Sequence, residues 1–277
     1  MSYVITKTCE HGTSNPIVAR LSVQSRQLME PFSISREKSD SAWAIIHDKI
    51  QPELLNCYDI WIHITNEENR IIDEIERKGI NIQVDGRIAS IDSIPKLHDS
   101  SKAFLHSAHA ALREIKSLIC CFYDCDDKIK QVADKDYEHL TKWLKKKFGD
   151  ADEFPILVEK DCSVWLSEVW KKRNTIPHPG GYSGLLNVSN FTASRDSETM
   201  EWNAVVPTWN RNDDNPTPIT RDMGIIVDNI LRFSENILVL CLRKLESILP
   251  IIFIEFDTND RDANCPVRLR ATNGVKV

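Results

Sequence analysis

An arginine, an asparagine and a histidine stand close together in the run Arg173-Asn174-Thr175-Ile176-Pro177-His178. The guanidinium of Arg173 can grip a phosphate through parallel hydrogen bonds, and the imidazole of His178 can exchange a proton near neutral pH. Together these groups suit RNA cleavage in which a 2′-hydroxyl attacks the adjacent phosphate. Histidine would be the acid or base, and arginine would stabilise the extra charge on phosphorus. This chemistry requires no metal ion.

The complete pattern is more specific than its parts. The chain has 16 arginines and 8 histidines, so a bare Arg-x(4–6)-His match is expected about once by chance. Requiring asparagine directly after arginine, with histidine four residues after that asparagine, lowers the expectation to about 0.03. Lys171 and Lys172 precede the motif and are predicted to bind RNA. The alternative is that Arg173 and His178, like the lysines, only cap a helix C-terminus, where the helix dipole favours positive charge.

The pattern Arg-Asn-x-x-x-His at the end of a bundle helix resembles the signature of the HEPN superfamily (higher eukaryotes and prokaryotes nucleotide-binding). The resemblance implies an all-helical bundle, commonly dimeric. Many members of that superfamily are metal-independent RNases of toxin–antitoxin, phage-defence and CRISPR systems. By position, it implies that Arg173 contacts the phosphate, Asn174 orients the site and His178 is the acid–base group. It also implies that the motif lines a cleft at a dimer interface.

The residues around His178 depart from a continuous helix. Pro177 and Pro179 flank the histidine, so we expect it on a kinked or irregular segment. Superfamily members that are paired with a nucleotidyltransferase antitoxin have a tyrosine two residues after the histidine, whereas Tyr182 follows His178 by four. The glycine-rich run 179–184 predicts a mobile loop beside the site.

The sequence supports other chemistry less well. His98, His106 and His109 lie close together, and Asp136 and His139 have the spacing of half a di-iron motif. No second Glu-x-x-His and no His-Glu-x-x-His occurs, so we expect solvated histidines or histidines satisfied in the core. The sequence also has no nucleophile elbow and no phosphate-binding glycine motif. It therefore predicts no metal and no cofactor.

The composition narrows the class of protein. The 277 residues carry a net charge of −6, so RNA would have to bind through a local basic patch. The eight cysteines contain no C-x-x-C pair and no zinc-ribbon spacing, which argues against a zinc site. Because we expect no secretion signal, we expect a reducing cytoplasm and not a disulfide framework. The longest apolar stretch, 249–254, is far shorter than the about 20 residues of a membrane span. We expect a soluble, cytoplasmic protein that has no secretion signal and no membrane partner.

Hydrophobic spacing predicts helices over much of the chain. Their predicted ranges are 53–78, 100–124, 134–148, 160–173 and 218–249. Before them, a first helical pattern begins near Ser39, with Asp40 or Ser41 as its predicted N-cap. Gly79 and Gly149 are predicted to end two of these helices. The alternation in 80–91, centred on Asp-Gly, predicts a hairpin, with a loop as the alternative. Residues 185–192 and 200–208 predict the two strands of another hairpin.

These elements predict a mainly α fold. With the resemblance, it is a HEPN-like helical bundle with a β-hairpin insertion before the last helix and extended, partly β termini. We expect a single domain over residues 1–277, with the helical core at about 40–250 and the insertion at about 179–217. The extended termini would be 1–38 and 251–277, and the C-terminal one would contain a single strand.

The leading functional hypothesis is a metal-independent endoribonuclease that acts as a toxin or an antiviral-defence effector. Its partners would be RNA, a second copy of the chain with a composite active site, and a cognate antitoxin or regulatory protein. The helix at 160–173 and the start of the last helix would lie near the two-fold axis, with Trp165 or Trp170 at the interface. The alternatives are a non-catalytic helical module that binds RNA, a nucleotide or a protein, and a structural bundle in which the motif is accidental.

Overall fold

Helices make up 61% of the protein and strands 13% in the computed structural model. The structure describes residues 10–83, 88–123, 125, 136–177, 179–212, 214–245 and 250–274. The prediction of a mainly α fold with small antiparallel sheets is confirmed. Within these ranges, no helix is long and apolar enough to cross a membrane.

The helices follow one another along most of the described chain. They are α1 (Pro16–Val18), α2 (Ser25–Met29), α3 (Arg36–Ala44), α4 (Gln51–Lys78), α5 (Leu97–Phe122), α6 (Asp136–Phe148), α7 (Glu153–Asp161), α8 (Ser167–Asn174) and α9 (Ile219–Arg243). Segments of π-helix join α1 to α2 (Ala19–Gln24), α3 to α4 (Ile45–Ile50) and α7 to α8 (Cys162–Leu166). In the last of these, the amide of Ser167 donates to the carbonyl of Cys162, five residues earlier. The Ser167 hydroxyl donates to the same oxygen at 2.6 Å, which stabilises the wide turn.

The strands form small antiparallel sheets. The pairs are β1 (Asn81–Gln83) with β2 (Ile88–Ser90), β3 (Leu186–Ser189) with β6 (Thr208–Arg211), β6 with β7 (Thr217–Pro218), β4 (Thr192–Arg195) with β5 (Trp202–Val205), and β8 (Ile251–Glu255) with β9 (Leu269–Asn273). The hairpin predicted at 80–91 is confirmed in its strands, and its Asp85-Gly86 turn lies outside the described residues. The insertion is a hairpin as predicted, with each arm divided into two short strands.

The long predicted helices are confirmed where their apolar residues recur every three or four positions. In α4, Cys57, Ile64 and Ile71 lie on one buried face. Gly79 follows this helix with φ of 75°, and Gly149 follows α6 with φ of 96°. Both are the left-handed conformation that glycine adopts at little cost, so both predicted helix ends are confirmed.

An extended N-terminus was predicted over residues 1–38. This prediction is wrong for most of residues 10–38, the part of the range that the structure describes. The chain is helical from α1 to α2, and α3 begins at Arg36. The Asn15 side chain accepts a hydrogen bond from the amide of Ile17, and Pro16 occupies the first turn. The short alternation at 17–23 suggested a strand, yet Ile17, Leu21 and Leu28 are buried at helical spacing.

Three further boundaries differ from the predictions. The N-cap of α3 is Ser35, whose hydroxyl accepts from the amide of Lys38 at 3.3 Å, so Asp40 and Ser41 lie inside the helix. Helix α9 ends at Arg243, before the predicted residue 249, in a turn where the Leu245 amide donates to Leu242. The C-terminal tail contains two strands, β8 and β9, which pair with each other, whereas a single strand was predicted.

The chain divides into two compact units that are each built from separate segments. The terminal unit comprises Met1–Leu54, Ala111–Lys160 and Ile230–Val277, and the motif unit comprises Leu55–Ala110 and Asp161–Asn229. Because neither unit is one contiguous stretch, the single domain expected over 1–277 stays a prediction.

Both units contain buried apolar side chains. The core of the terminal unit includes Leu21, Ile50, Leu112, Ile115, Leu140, Phe154, Phe233 and Ile237. The core of the motif unit includes Ile64, Phe104, Leu105, Ala108, Leu166, Val169, Trp209, Ile219 and Met223. In the motif unit, Trp209 of the insertion packs against Phe104 with ring centroids 6.2 Å apart. The insertion therefore contributes a large aromatic side chain to this core.

Candidate active site

The motif lies at the C-terminal end of α8. The helix closes with a turn in which the amide of Thr175 donates to the carbonyl of Lys172 at 3.3 Å and the Thr175 hydroxyl to the same oxygen at 2.6 Å. The amide of Ile176 donates to the carbonyl of Arg173 at 3.0 Å. Pro177 follows directly, and the helix does not continue into it. The motif therefore straddles a helix end, as its prolines predict.

Two of the three predicted catalytic residues contact each other. The Nη1 atom of Arg173 donates to the side-chain oxygen of Asn174 at 3.0 Å, and both residues are half-buried. Such a contact limits the orientations of the guanidinium. The catalytic role of Asn174 stays a prediction. The predicted acid–base residue, His178, lies outside the described residues.

The two lysines before the motif have different surroundings. Lys171 is about half exposed, and its ammonium lies 2.7 Å from a carboxylate oxygen of Glu168. Lys172 has a side chain only 16% exposed. Its ammonium lies 5.3 Å from the ring centroid of Trp209 and 3.7 Å from the Oδ2 atom of Asp222. Lys171 is accessible to a ligand, whereas Lys172 is engaged within the motif unit.

Positive charge around the helix end acts on Glu168. The hydrogen bond from Lys171 is the main reason that the pKa of Glu168 lies below its ordinary value. The charges of Lys171, Arg211 and Lys172 add to this effect. These cations favour the charged form of Glu168, and each lies beside a carboxylate: Lys171 beside Glu168, Lys172 beside Asp222 and Arg211 beside Asp214.

Sequence reasoning missed Asp222 and Trp209. The Oδ2 atom of Asp222 accepts a hydrogen bond from the indole nitrogen of Trp209 at 2.8 Å and from the hydroxyl of Thr217 at 2.5 Å. The available signals were an acidic residue in the first turn of α9 and a tryptophan within a strand-like run. Neither signal indicates that Asp222 and Trp209 contact each other.

No family model, curated protein or solved structure matches the chain. The resemblance to the HEPN superfamily therefore rests on the motif residues and on the helical architecture.

The tryptophans of the motif helix differ in burial. Trp170 is buried and meets His109 edge to face, with ring centroids 5.1 Å apart. Trp165, in the π-helical segment before α8, is half-buried. Whether either residue lies at a dimer interface stays a prediction.

The histidines considered as metal ligands do not share one environment. His98 and His106 are exposed, whereas His109 is buried against Trp170. In the part of the chain that the structure describes, no three potential ligands converge in a way that would hold a metal ion.

The glycine-rich segment after His178 is closed by backbone hydrogen bonds. The amide of Gly180 donates to the carbonyl of Gly184 at 3.1 Å, and that of Gly184 to Gly181 at 2.9 Å. The side chain of Tyr182 is fully exposed at the tip of this turn. The predicted loop is thus a defined turn next to the motif in sequence.

Proposed function

We propose that the protein is a metal-independent endoribonuclease of HEPN type. The observation that carries the proposal is the contact between Arg173 and Asn174 at a helix end, four residues before His178 in the sequence. A guanidinium held by its neighbour, next to the half-exposed ammonium of Lys171, supports a role in binding and stabilising a phosphate.

In the proposed mechanism, a 2′-hydroxyl of RNA attacks the adjacent phosphorus atom and expels the 5′-oxygen of the next nucleotide. His178 acts as the acid or base in this proton transfer, and Arg173 stabilises the negative charge that develops on the phosphoryl oxygens. Asn174 orients the guanidinium. The products are a 2′,3′-cyclic phosphate and a 5′-hydroxyl.

The partners follow from the same proposal. Lys171 would contact the RNA backbone because its half-exposed side chain is close to the motif, and Lys172 belongs to the same predicted RNA-binding pair. A homodimer with a composite active site would bring two copies of the motif together. The protein would act in the cytoplasm as a toxin or defence effector, under the control of an antitoxin or regulatory protein.

The test is cleavage of single-stranded RNA by the purified protein in the presence of EDTA, with analysis of the product ends. We expect a 2′,3′-cyclic phosphate. His178→Ala should lower the rate by about 10²–10⁴-fold, and Arg173→Lys by about 10²-fold, since a single ammonium cannot replace the planar guanidinium. The control is His98→Ala, which alters an exposed histidine. Strict dependence on a divalent ion, or full activity of His178→Ala, would refute the proposal.

The alternative function is a non-catalytic helical module that binds RNA, a nucleotide or a protein partner. One observation favours it: Lys172 contacts Asp222 and Trp209, so one of the two lysines expected at the RNA is engaged within the motif unit. RNA binding without cleavage in the assay above, unchanged in His178→Ala, would select this alternative.

A further inference from the structure

One oxygen of Asp222 brings three parts of the motif unit together. This oxygen, Oδ2, accepts from Trp209 at 2.8 Å and from Thr217 at 2.5 Å, and the ammonium of Lys172 lies 3.7 Å away. Asp222 belongs to the first turn of α9, Trp209 and Thr217 belong to the insertion, and Lys172 belongs to α8. Three separate elements therefore depend on one carboxylate.

We propose that Asp222 is a positioning residue of the ribonuclease site. It holds the insertion and the end of α8 in one arrangement, so that Arg173 meets a bound phosphate in a fixed geometry. This inference rests on the ribonuclease function proposed above. Asp222 acts through Lys172 and contacts neither the substrate nor the reacting atoms.

The first step of the coupling is the charge of Lys172. Its side chain is 16% exposed, and that of Asp222 is 21% exposed. An ammonium removed this far from water requires a negative partner or the face of an aromatic ring. Asp222 and Trp209 supply both. Without the carboxylate, turning out into solvent would lower the free energy of the lysine side chain. The backbone of Lys172 would then no longer be restrained by the contact with Asp222.

The second step is the backbone of Lys172. Its carbonyl accepts both the amide and the hydroxyl of Thr175, which is buried. The turn that they close contains Arg173 and Asn174 and leads in sequence to His178. A displacement of Lys172 therefore moves the residues that would hold the phosphate.

The third step is the insertion. Thr217 lies opposite Trp209 in the register of β7 and β6, and both donate to Asp222. The Trp209 side chain is fully buried. The sheet of β3, β6 and β7 is thus fixed to the start of α9 at the point where Lys172 is also held.

A variant series separates positioning from simple stability. Asp222→Ala removes the acceptor and the charge. Asp222→Asn keeps an oxygen that can accept from Trp209 and Thr217. Asp196→Asn is the matched control, because Asp196 accepts from the amides of Glu198 and Thr199 in an exposed turn of the same insertion.

The measurements are hydrogen exchange of the full-length protein and steady-state cleavage of single-stranded RNA. In Asp222→Ala we expect amides of β6, of β7 and of residues 172–176 to exchange together about tenfold faster. We expect kcat to fall about 10- to 100-fold, with KM within about threefold. Asp222→Asn should keep β6 and β7 protected but should lose kcat as Asp222→Ala does, because its amide lacks the charge that holds Lys172. Asp196→Asn should match the wild type in both readouts.

Several results would overturn the proposal. One is faster exchange of β6 and β7 with residues 172–176 unchanged, and another is an unchanged kcat in Asp222→Ala. If Asp222→Ala does not fold, Asp222→Asn tests the same coupling: residues 172–176 should exchange faster and kcat should fall while β6 and β7 stay protected, and unchanged exchange of residues 172–176 would overturn the proposal. If the wild type does not cleave RNA, the proposed function fails, and the exchange pattern still decides whether Asp222 couples the two elements.

Discussion

Helix α9 carries two acidic residues that organise two different regions of the protein. Asp222, in the motif unit, accepts from two neutral donors and lies near one ammonium, with its side chain 21% exposed. Glu235, in the terminal unit, has a side chain with no exposed surface. It accepts from Arg20 and Arg268, with Arg268 Nε at 2.7 Å, and from the Gln24 amide at 2.6 Å.

The difference between these sites reflects burial. A carboxylate that is completely removed from water needs several charged donors, because its desolvation costs several kcal/mol. Glu235 has two guanidinium groups, and Gln24 also accepts from the backbone amides of Arg268 and Leu269. The partly exposed Asp222 needs only one cation and two neutral donors. We infer that Glu235 fixes the fold of its unit, whereas Asp222 adjusts the geometry of a site.

The largest effect should come from Glu235→Ala. The substitution leaves the two buried arginines without their shared counter-charge, so we expect a loss of about 3–5 kcal/mol in the free energy of unfolding. Urea denaturation measures it. The control is Glu153→Gln, which removes an exposed carboxylate 2.8 Å from Arg243 and should cost less than about 1 kcal/mol. Equal losses in the two variants would contradict the comparison.

A smaller effect is expected for Asp222→Ala. It leaves the indole of Trp209 and the hydroxyl of Thr217 without their acceptor, which should lower the free energy of unfolding by about 1–3 kcal/mol. The same urea experiment applies, with Asp196→Asn as the control. A loss as large as that of Glu235→Ala would show that Asp222 is equally important to the fold and would remove the distinction between the two sites.

The smallest effect concerns Glu68 in the motif unit. Burial shifts the pKa of this carboxyl group more than its hydrogen bond does. Burial raises its pKa above 4.5, and a hydrogen bond from Thr220 opposes the rise. Because the folded state then binds the proton more tightly, stability falls as pH rises from about 4.5 through the raised pKa. We expect Glu68→Gln to lack this decline.

Melting temperatures between pH 4 and pH 8 measure the effect of Glu68. Glu168→Gln is the control of opposite sign, since the pKa of Glu168 is lowered chiefly by Lys171. Its stabilisation is present above the unfolded pKa and is lost as pH falls through the folded one. Parallel pH profiles for the wild type and Glu68→Gln would refute the assigned role of burial.

Hydrophobic periodicity predicted the helices correctly where it extended over many residues. Helices α4 and α5 each repeat their apolar positions over about seven turns, so their period is unambiguous. The run 17–23 was too short to separate a strand from a helix, and the cap at Asn15 and Pro16 decided for helix. Strand β9 in the C-terminal tail forms by pairing with β8, and the sequence of β9 alone does not indicate this pairing.

In the candidate site, a contact between sequence neighbours could be predicted, whereas contacts between distant residues could not. Arg173 and Asn174 are neighbours, so their contact follows from the motif itself. The contact of Asp222 with Lys172 joins residues far apart in the chain, and Arg20 and Glu235 are 215 positions apart. Packing of several elements creates such pairs, and a single sequence contains no signal of which acid will meet which base.

The π-helical segment Cys162–Leu166 makes the direction of the motif tolerant of one change in chain length. Each residue of an α-helix turns the chain by about 100°, so loss of one residue from regular helix before Arg173 would turn that position by about this angle. A π-helical turn closes on the fifth residue instead of the fourth and therefore holds one residue more. Loss of a single codon within this segment would leave an ordinary α-helical turn, and Arg173 would keep the direction in which it faces.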